Sequence, residues 1–238
     1  MAVKTLTINE QLITASEKQT ILEAAKEVGI KIPTLCHLEG ISNVGACRLC
    51  LVEIEGISKL QPACVTQVKE GMVIQTETEK LQNYRRMAVE LLFAEGNHVC
   101  AVCVVNGNCQ LQNIAIRVGM DHSRFPYQFP KRDVDLSHPQ FAMDHNRCIL
   151  CTRCVRVCDE VEGAHVWDVA NRGGQSFIVS GINQPWGEVD TCTSCGKCVD
   201  ACPTGAIFRQ GSTVSEMNHD PGKLAFLVTA REKKEWTR

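Results

Sequence analysis

Eight of the fifteen cysteines stand in two runs, Cys148, Cys151, Cys154, Cys158 and Cys192, Cys195, Cys198, Cys202, the second followed by Pro203. Both runs read C-x2-C-x2-C-x3-C, the spacing with which one chain wraps two cubane 4Fe–4S clusters. Cysteines three apart on a tight loop aim their thiolates at different irons of one cube. The fourth, one residue further on, points into the neighbouring cluster. The expected ligand sets are therefore Cys148, Cys151, Cys154 and Cys202 on one cube, and Cys158, Cys192, Cys195 and Cys198 on the other. Corresponding cysteines are offset by 44 residues, so the region reads as an internal duplication. Structural zinc also uses C-x2-C pairs, but it gives no role to the third and fourth members of each run.

The other seven cysteines are grouped as well. Cys36, Cys47, Cys50 and Cys64 form C-x10-C-x2-C-x13-C, a long loop with three ligands and a fourth from a later segment, which suits a 2Fe–2S rhomb. Cys100, Cys103 and Cys109 form C-x2-C-x5-C, one ligand short of a closed 4Fe–4S site. His98 stands two residues before Cys100, and a neutral imidazole can supply the missing bond. Sixteen ligands then hold one 2Fe–2S and three 4Fe–4S clusters, with no cysteine left over. A protein so committed to iron–sulfur ligation moves electrons.

Other chemistries fit less well. Fifteen cysteines cannot all pair in disulfides;. The first residues lack the basic start and apolar core of a secretory signal. No stretch approaches the roughly eighteen apolar residues of a membrane span. A reducing cytoplasm is the expected compartment for such thiolates, with peripheral membrane association through a larger complex as its variant. A formal net charge of −2 gives no basic face for nucleic acid. Aromatic residues make up only 5 % of the chain, so metal binding is expected to help stabilise the small modules.

The elements that must position these ligands are legible in part. Residues 3–8 and 11–14 alternate around Asn9-Glu10 as a hairpin. Residues 20–28 carry Ile21, Leu22, Ala25 and Val28 at helical spacing, ended by Gly29. Strand-like segments recur at 48–54 and 72–76, which together suggest a β-grasp sheet around the loop 36–50, where Gly40 and Gly45 supply backbone freedom. From 79 to 95, Leu81, Tyr84, Met87, Ala88, Leu91 and Leu92 form an apolar helical stripe leading to His98. A short helix follows Cys109 through Val118. Residues 120–140, with Pro126, Pro130 and Pro139, read as an extended connector, and 164–188 as a hairpin around Gly173-Gly174. The tail has an apolar patch from Leu224 to Val228 and charges from Arg231 to Lys234, the pattern of a terminal helix. The expected fold is α+β and modular. A 2Fe–2S ferredoxin-like domain spans 1–78, a small helical His/Cys3 domain 79–119 and a connector 120–140. A bacterial-ferredoxin-like double-cubane domain follows over 141–211, then a tail over 212–238. Arg147, Arg153, Arg156 and Lys197 adjoin cluster ligands and could raise cluster potentials; loop cations are mostly solvated, and that is the expectation for these four.

The order of modules resembles the N-terminal region of the large iron–sulfur subunit of respiratory complex I and of iron-only hydrogenases. The segments EGNHVCAVCVVNGNCQLQ, HNRCILCTRCVRVCDEVEGAHVW and GKLAFLVTAREKKEW are similar to the small diaphorase iron–sulfur subunit of bidirectional NAD(P)-linked nickel–iron hydrogenases, over essentially the whole chain. Two departures stand out. In complex I the cluster histidine usually precedes its first cysteine by four residues, and here that position is Gly96. Asp159 follows Cys158 where minimal ferredoxins have proline, without disturbing the ligand set.

The resemblance implies an oxidoreductase subunit without a catalytic centre of its own. It would relay electrons between nickel–iron hydrogenase small and large subunits and a flavin/NAD(P)-binding diaphorase subunit, with a further 2Fe–2S subunit as an additional candidate partner. FMN and NAD(P) are expected on a partner, because the chain has no G-x-G-x-x-G dinucleotide cradle after a strand. The alternative is a relay subunit of another NAD-linked complex, a formate dehydrogenase or a complex I-like NADH oxidoreductase. A cluster-stabilised assembly scaffold is the non-redox option. His98 in place of a thiolate removes a negative charge and should raise the potential of its cluster.

Overall fold

The computed structural model describes residues 2–224. The chain opens on a hairpin, β1 (Val3–Ile8) and β2 (Gln11–Ser16). Asn9 and Glu10 both take positive φ, 48° and 68°, as a two-residue turn with the right twist demands. Alternation then turns Leu6, Ile8, Ile13 and Ala15 inward. Helix α1 (Ile21–Glu27) starts at a capping box, in which Thr20 and Glu23 satisfy each other's backbone N–H;. Strands β3 (Leu51–Ile54), β4 (Ile57–Pro62) and β5 (Val73–Gln75) complete a sheet of order β2-β1-β5-β3-β4, with β1 and β5 parallel. This is the expected β-grasp arrangement. The strand expected over 48–54 begins only at Leu51, because Arg48 takes φ 55° to turn the cysteine loop. Edge strand β4 was not expected: Ile57, Ser58 and Lys59 are all exposed, so it shows no inward alternation.

Helix α2 (Glu79–Ala94) is capped by Thr78 and presents Leu81 and Val89 to the interior. Its Arg85, 1 % exposed, donates to the carbonyls of Leu49, Leu51 and Thr76 at 3.1, 3.2 and 2.7 Å. The helix is thereby fixed to the cysteine loop and to the end of β5. Helix α3 (Gln110–Arg117) follows the third cysteine of the His/Cys3 segment. The expected connector is not wholly extended: β6 (Val134–Asp135) pairs with β7 (Phe141–Asp144), and His138 is buried.

In the double-cubane region, helices α4 (Arg153–Val157) and α5 (Lys197–Ala201) begin 44 residues apart, the same offset as the cysteines. Between them, β8 (Trp167–Ala170) and β9 (Phe177–Ser180) form the expected hairpin. Strand β10 (Ile207–Arg209) pairs with β7, giving sheet order β10-β7-β6.

The buried apolar side chains form two bodies. One fills the β-grasp sheet, from Leu6 to Ile74. The other is continuous from Leu35, Ile41 and Leu49 of the first cysteine loop through Leu111 to Val157, Trp186 and Ile207. The loop bearing Cys36 and Cys47 thus packs on the later modules as well as on its own sheet. Residues 212–224 pack back too: Ser215 N–H donates to Cys103 O at 3.1 Å and Met217 N–H to Val104 O at 2.9 Å. The expected terminal helix falls on residues 225–238, outside those described. Among the described residues no helix is long and apolar enough to cross a membrane.

Candidate iron–sulfur centres

Three small cavities gather twelve of the sixteen expected ligands. Cys148, Cys151, Cys154 and Cys202 line one, walled by Met143, Ile178 and Ile207. Cys158, Cys192, Cys195 and Cys198 line the second, walled by Phe141, Trp167 and Trp186. His98, Cys100, Cys103 and Cys109 line the third, with Phe93 and Leu111. The three cavities are alike in size. Among the described residues no three His, Cys, Asp or Glu side chains converge closely enough to hold a single metal ion.

The backbone of the two long runs repeats like their cysteines. Leu150 and Thr152 take φ 51° and 57°, and Ser194 and Gly196, 44 residues later, take 55° and 72°. A non-glycine residue in this left-handed region costs roughly 1–2 kcal/mol. Three such residues persist here because each loop must turn sharply enough for successive cysteines to face one cavity. The C-x3-C step runs down α4, so Cys158 leaves the end of the helix toward the other cavity, while Cys202 ends α5 and does the reverse.

Burial dominates the electrostatics. It pushes the Cys148 thiol up to about 12 and Cys151 to about 11. Bare thiolates are therefore disfavoured, and ligation must expel the protons. The cradle offers N–H groups to sulfur: Val166 N–H to Cys158 Sγ at 3.4 Å, and the indole N–H of fully buried Trp186 to Cys192 Sγ at 3.3 Å. His138 lies against the Trp186 and Phe141 rings, at 4.6 and 4.9 Å, and its Nε2 meets Ser194 Oγ at 3.1 Å. That contact fixes the loop between Cys192 and Cys195. Cys195 is the one exposed thiol among the described residues.

In the third cavity the His98 Nε2 is buried and has no hydrogen-bond partner. Burial holds the ring down to about 4, and its backbone bond goes to Leu92. The imidazole is therefore neutral, and it lines the same cavity as three thiols. Gly96 makes room for it: a Cβ there would stand 2.6 Å from His98 Nε2. The ring thus fills the space into which a side chain at position 96 would project. Gly205 plays a similar part at the boundary with the double-cubane region, where a Cβ would stand 2.6 Å from Cys103 Sγ.

The thiols of Cys36, Cys47, Cys50 and Cys64 form two close pairs. Cys50 and Cys64 Sγ lie 3.4 Å apart, and Leu35 N–H points at Cys47 Sγ at 3.4 Å. The Cys47 thiol donates to Cys36, and with backbone N–H groups of Cys47 and Ala46 this holds Cys36 well below the usual thiol range against its burial. Gly45 takes φ 61°, and its backbone bonds to Cys64.

The cations beside the ligands are not solvated as expected. Arg153 and Arg156 are 3 % and 6 % exposed. Arg147 pairs with Asp144 at 3.2 Å, and Lys197 is ion-paired with Glu162. The partners of Arg153, Arg156 and Lys197 are mostly remote in sequence, which adjacency to a cysteine could not reveal. Trp186 and His138 were also missed. The signal available was the rarity of tryptophan, since two of only three, Trp167 and Trp186, wall one cavity.

Comparison with known proteins matches this layout in order. Residues 3–79 match a 2Fe-2S iron-sulfur cluster binding domain. Residues 85–124 match the NADH-ubiquinone oxidoreductase-G iron-sulfur binding region. Residues 138–208 match the ferredoxin-like domain of NADH-quinone oxidoreductase subunit 3. The chain is 40 % identical over 206 residues to a subunit of the NADH-quinone oxidoreductase of Rhizobium meliloti, covering 85 % of this chain but 24 % of that one. It thus spans about a quarter of the length of this and similar relatives. It is 36 % identical over 242 residues to the NADP-reducing hydrogenase subunit HndD of Solidesulfovibrio fructosivorans, 97 % of this chain and 40 % of that one. A solved chain of an NAD+-reducing nickel–iron hydrogenase in the H2-reduced state superposes with a TM-score of 0.84, at 36 % identity and 89 % coverage of both chains. The gamma subunit of the NAD-reducing hydrogenase HoxS of Cupriavidus necator is 35 % identical over 206 residues, with 86 % of each chain covered. The chain, with its 2Fe–2S domain and its 4Fe–4S-binding regions, belongs to the family of iron–sulfur oxidoreductase subunits represented by that gamma subunit.

Proposed function

We infer that the chain is an electron-relay subunit without a catalytic centre, linking a nickel–iron hydrogenase module to a flavin/NAD(P) diaphorase module. One observation carries the reading: the sixteen candidate ligand side chains gather in four groups, two of which each include a cysteine from the other's run. In this reading Cys36, Cys47, Cys50 and Cys64 hold a 2Fe–2S cluster. His98 with Cys100, Cys103 and Cys109 holds one 4Fe–4S cluster, and the two crossed cysteine sets hold the others. When bound, such clusters accept and release single electrons at potentials set by charge, sulfur hydrogen bonds and exposure. The chain's own part is to exclude water with the apolar cavity walls and to aim N–H groups at sulfur. Hydrogen would be split, and NAD(P) reduced at FMN, on partner subunits. The likeness to the hydrogenase gamma subunit over most of both chains supports these partners.

The Cys195→Ser variant, purified within its complex, tests the reading. Hydrogen-driven NAD(P) reduction should be lost while hydrogen uptake with an artificial acceptor persists. Equal loss of both activities, or an iron-free parent chain with an intact fold, contradicts the relay. A second reading, a relay for a complex I-like NADH oxidoreductase, is favoured by the 40 % identity to the Rhizobium meliloti NADH-quinone oxidoreductase chain. Nickel in the purified complex supports the first, and its absence with NADH-driven quinone reduction supports the second.

A further inference from the structure

The residues between the 2Fe–2S loop and α4 form a buried, cation-rich contact that ligation alone does not require. One nitrogen of Arg156, Nη2, donates to the carbonyl of Cys36 at 2.6 Å and to the carbonyl of Cys151 at 3.0 Å. These oxygens are therefore no more than 5.6 Å apart, the two bonds laid end to end. Cys36 belongs to the 2Fe–2S group and Cys151 to the first cubane group. The other terminal nitrogen donates to Ser42 O, and Nε to Thr152 Oγ1 at 3.3 Å. Ser42 is also held by Glu160, whose carboxylate accepts from its N–H at 2.8 Å and from its hydroxyl.

Arg153 repeats the pattern nearly one turn away. Its guanidinium donates to His37 O at 2.6 Å, to Ala201 O at 3.4 Å and to Gln110 Oε1 at 3.0 Å. His37 follows Cys36, and Ala201 precedes Cys202 of the same cubane group. Two buried guanidinium groups therefore each touch backbone at or beside a ligand of both groups. Both guanidinium groups are held by carbonyl, amide and hydroxyl oxygens, whereas Arg147 and Lys197 are ion-paired. Burying a cation is costly, and iron–sulfur cores ligated by four thiolates would supply negative charge on both sides of it.

We propose that Arg153 and Arg156 are positioning residues that join the Cys36/Cys47/Cys50/Cys64 site to the Cys148/Cys151/Cys154/Cys202 site as one electrostatically coupled redox pair. Their positive charge favours the reduced state at both sites. Their paired carbonyl contacts fix the distance between the sites. This rests on the ligand reading above and deepens it, because it assigns to the interface a role in setting two potentials together.

The test uses the full chain in its complex, with Arg156→Gln and Arg156→Lys, followed by iron analysis and redox-poised electron paramagnetic resonance. In Arg156→Gln the midpoints of the 2Fe–2S centre and of the 4Fe–4S centre removed by Cys151→Ser should both fall. At the parental midpoint the oxidised-to-reduced ratio should rise about tenfold, about 59 mV for one electron. The two other 4Fe–4S centres should keep theirs, and Arg156→Lys should restore most of both shifts. Iron loss confined to these two sites supports the same pairing, and Arg153→Gln, with its separate contacts, should reproduce the paired fall. Unchanged midpoints, a fall at only one site, or an equal change at all four centres overturns the proposal. An iron-free parent would instead sink the ligand reading itself.

Discussion

Replacing Gly96 with alanine should dislodge His98 from its cavity and alter one 4Fe–4S centre. A Cβ at position 96 would lie 2.6 Å from His98 Nε2 and 2.8 Å from Cδ2, against the 3.4 Å at which ordinary contact begins. The ring must therefore retreat by about 0.8 Å. The next neighbour, the Asn146 carbonyl at 3.0 Å, is backbone that accepts from Asn97 N–H at 2.9 Å, so it yields little. A histidine–metal bond of about 2.0–2.1 Å does not survive such a displacement. The packing strain should cost about 1–3 kcal/mol. Electron paramagnetic resonance at poised potentials, with iron analysis, should show loss or conversion of one 4Fe–4S signal while the others remain. The double variant Gly96→His, His98→Ala should regain that signal, because a side chain from position 96 projects into the space the imidazole now fills. An unaltered signal and full iron in Gly96→Ala would refute both the ligation and its steric explanation.

Trp186→Phe removes the N–H directed at Cys192 Sγ while keeping an aromatic wall; hydrogen bonds to cluster sulfur tune potential, so the midpoint of that cubane alone should fall in a redox titration. Arg85→Met leaves the Leu49, Leu51 and Thr76 carbonyls without their buried donor; it should lower stability by about 1–3 kcal/mol for each carbonyl left unpaired in chemical denaturation, with the 2Fe–2S signal lost at lower denaturant than the cubane signals.

The cysteine groups were legible because ligation by a short loop is a local property: spacing alone brings Cys148, Cys151 and Cys154 to one cavity, and the 44-residue offset recurs in Leu150/Ser194 and Thr152/Gly196. The β-grasp hairpin and α1 were legible for the same reason, since alternation and a capping box act over a few residues. What escaped is set by contacts across the fold. Arg156 reads as a loop cation until Ser42 and Cys36, more than a hundred residues earlier, close over it. Edge strand β4 has little buried surface to impose a pattern. His138 sits in a proline-bearing stretch whose composition suggests solvent, yet the Phe141 and Trp186 rings enclose it.

The reciprocal loan of Cys158 and Cys202 has a consequence for how this half of the molecule can change. Each cavity takes its fourth cysteine from the other repeat, so on the proposed ligand sets a chain severed between them would leave each site's four donors divided between two fragments. Damage in one copy cannot be masked by the other, and duplication here confers no redundancy. On that reading the two sites fill only when both halves are present in one chain.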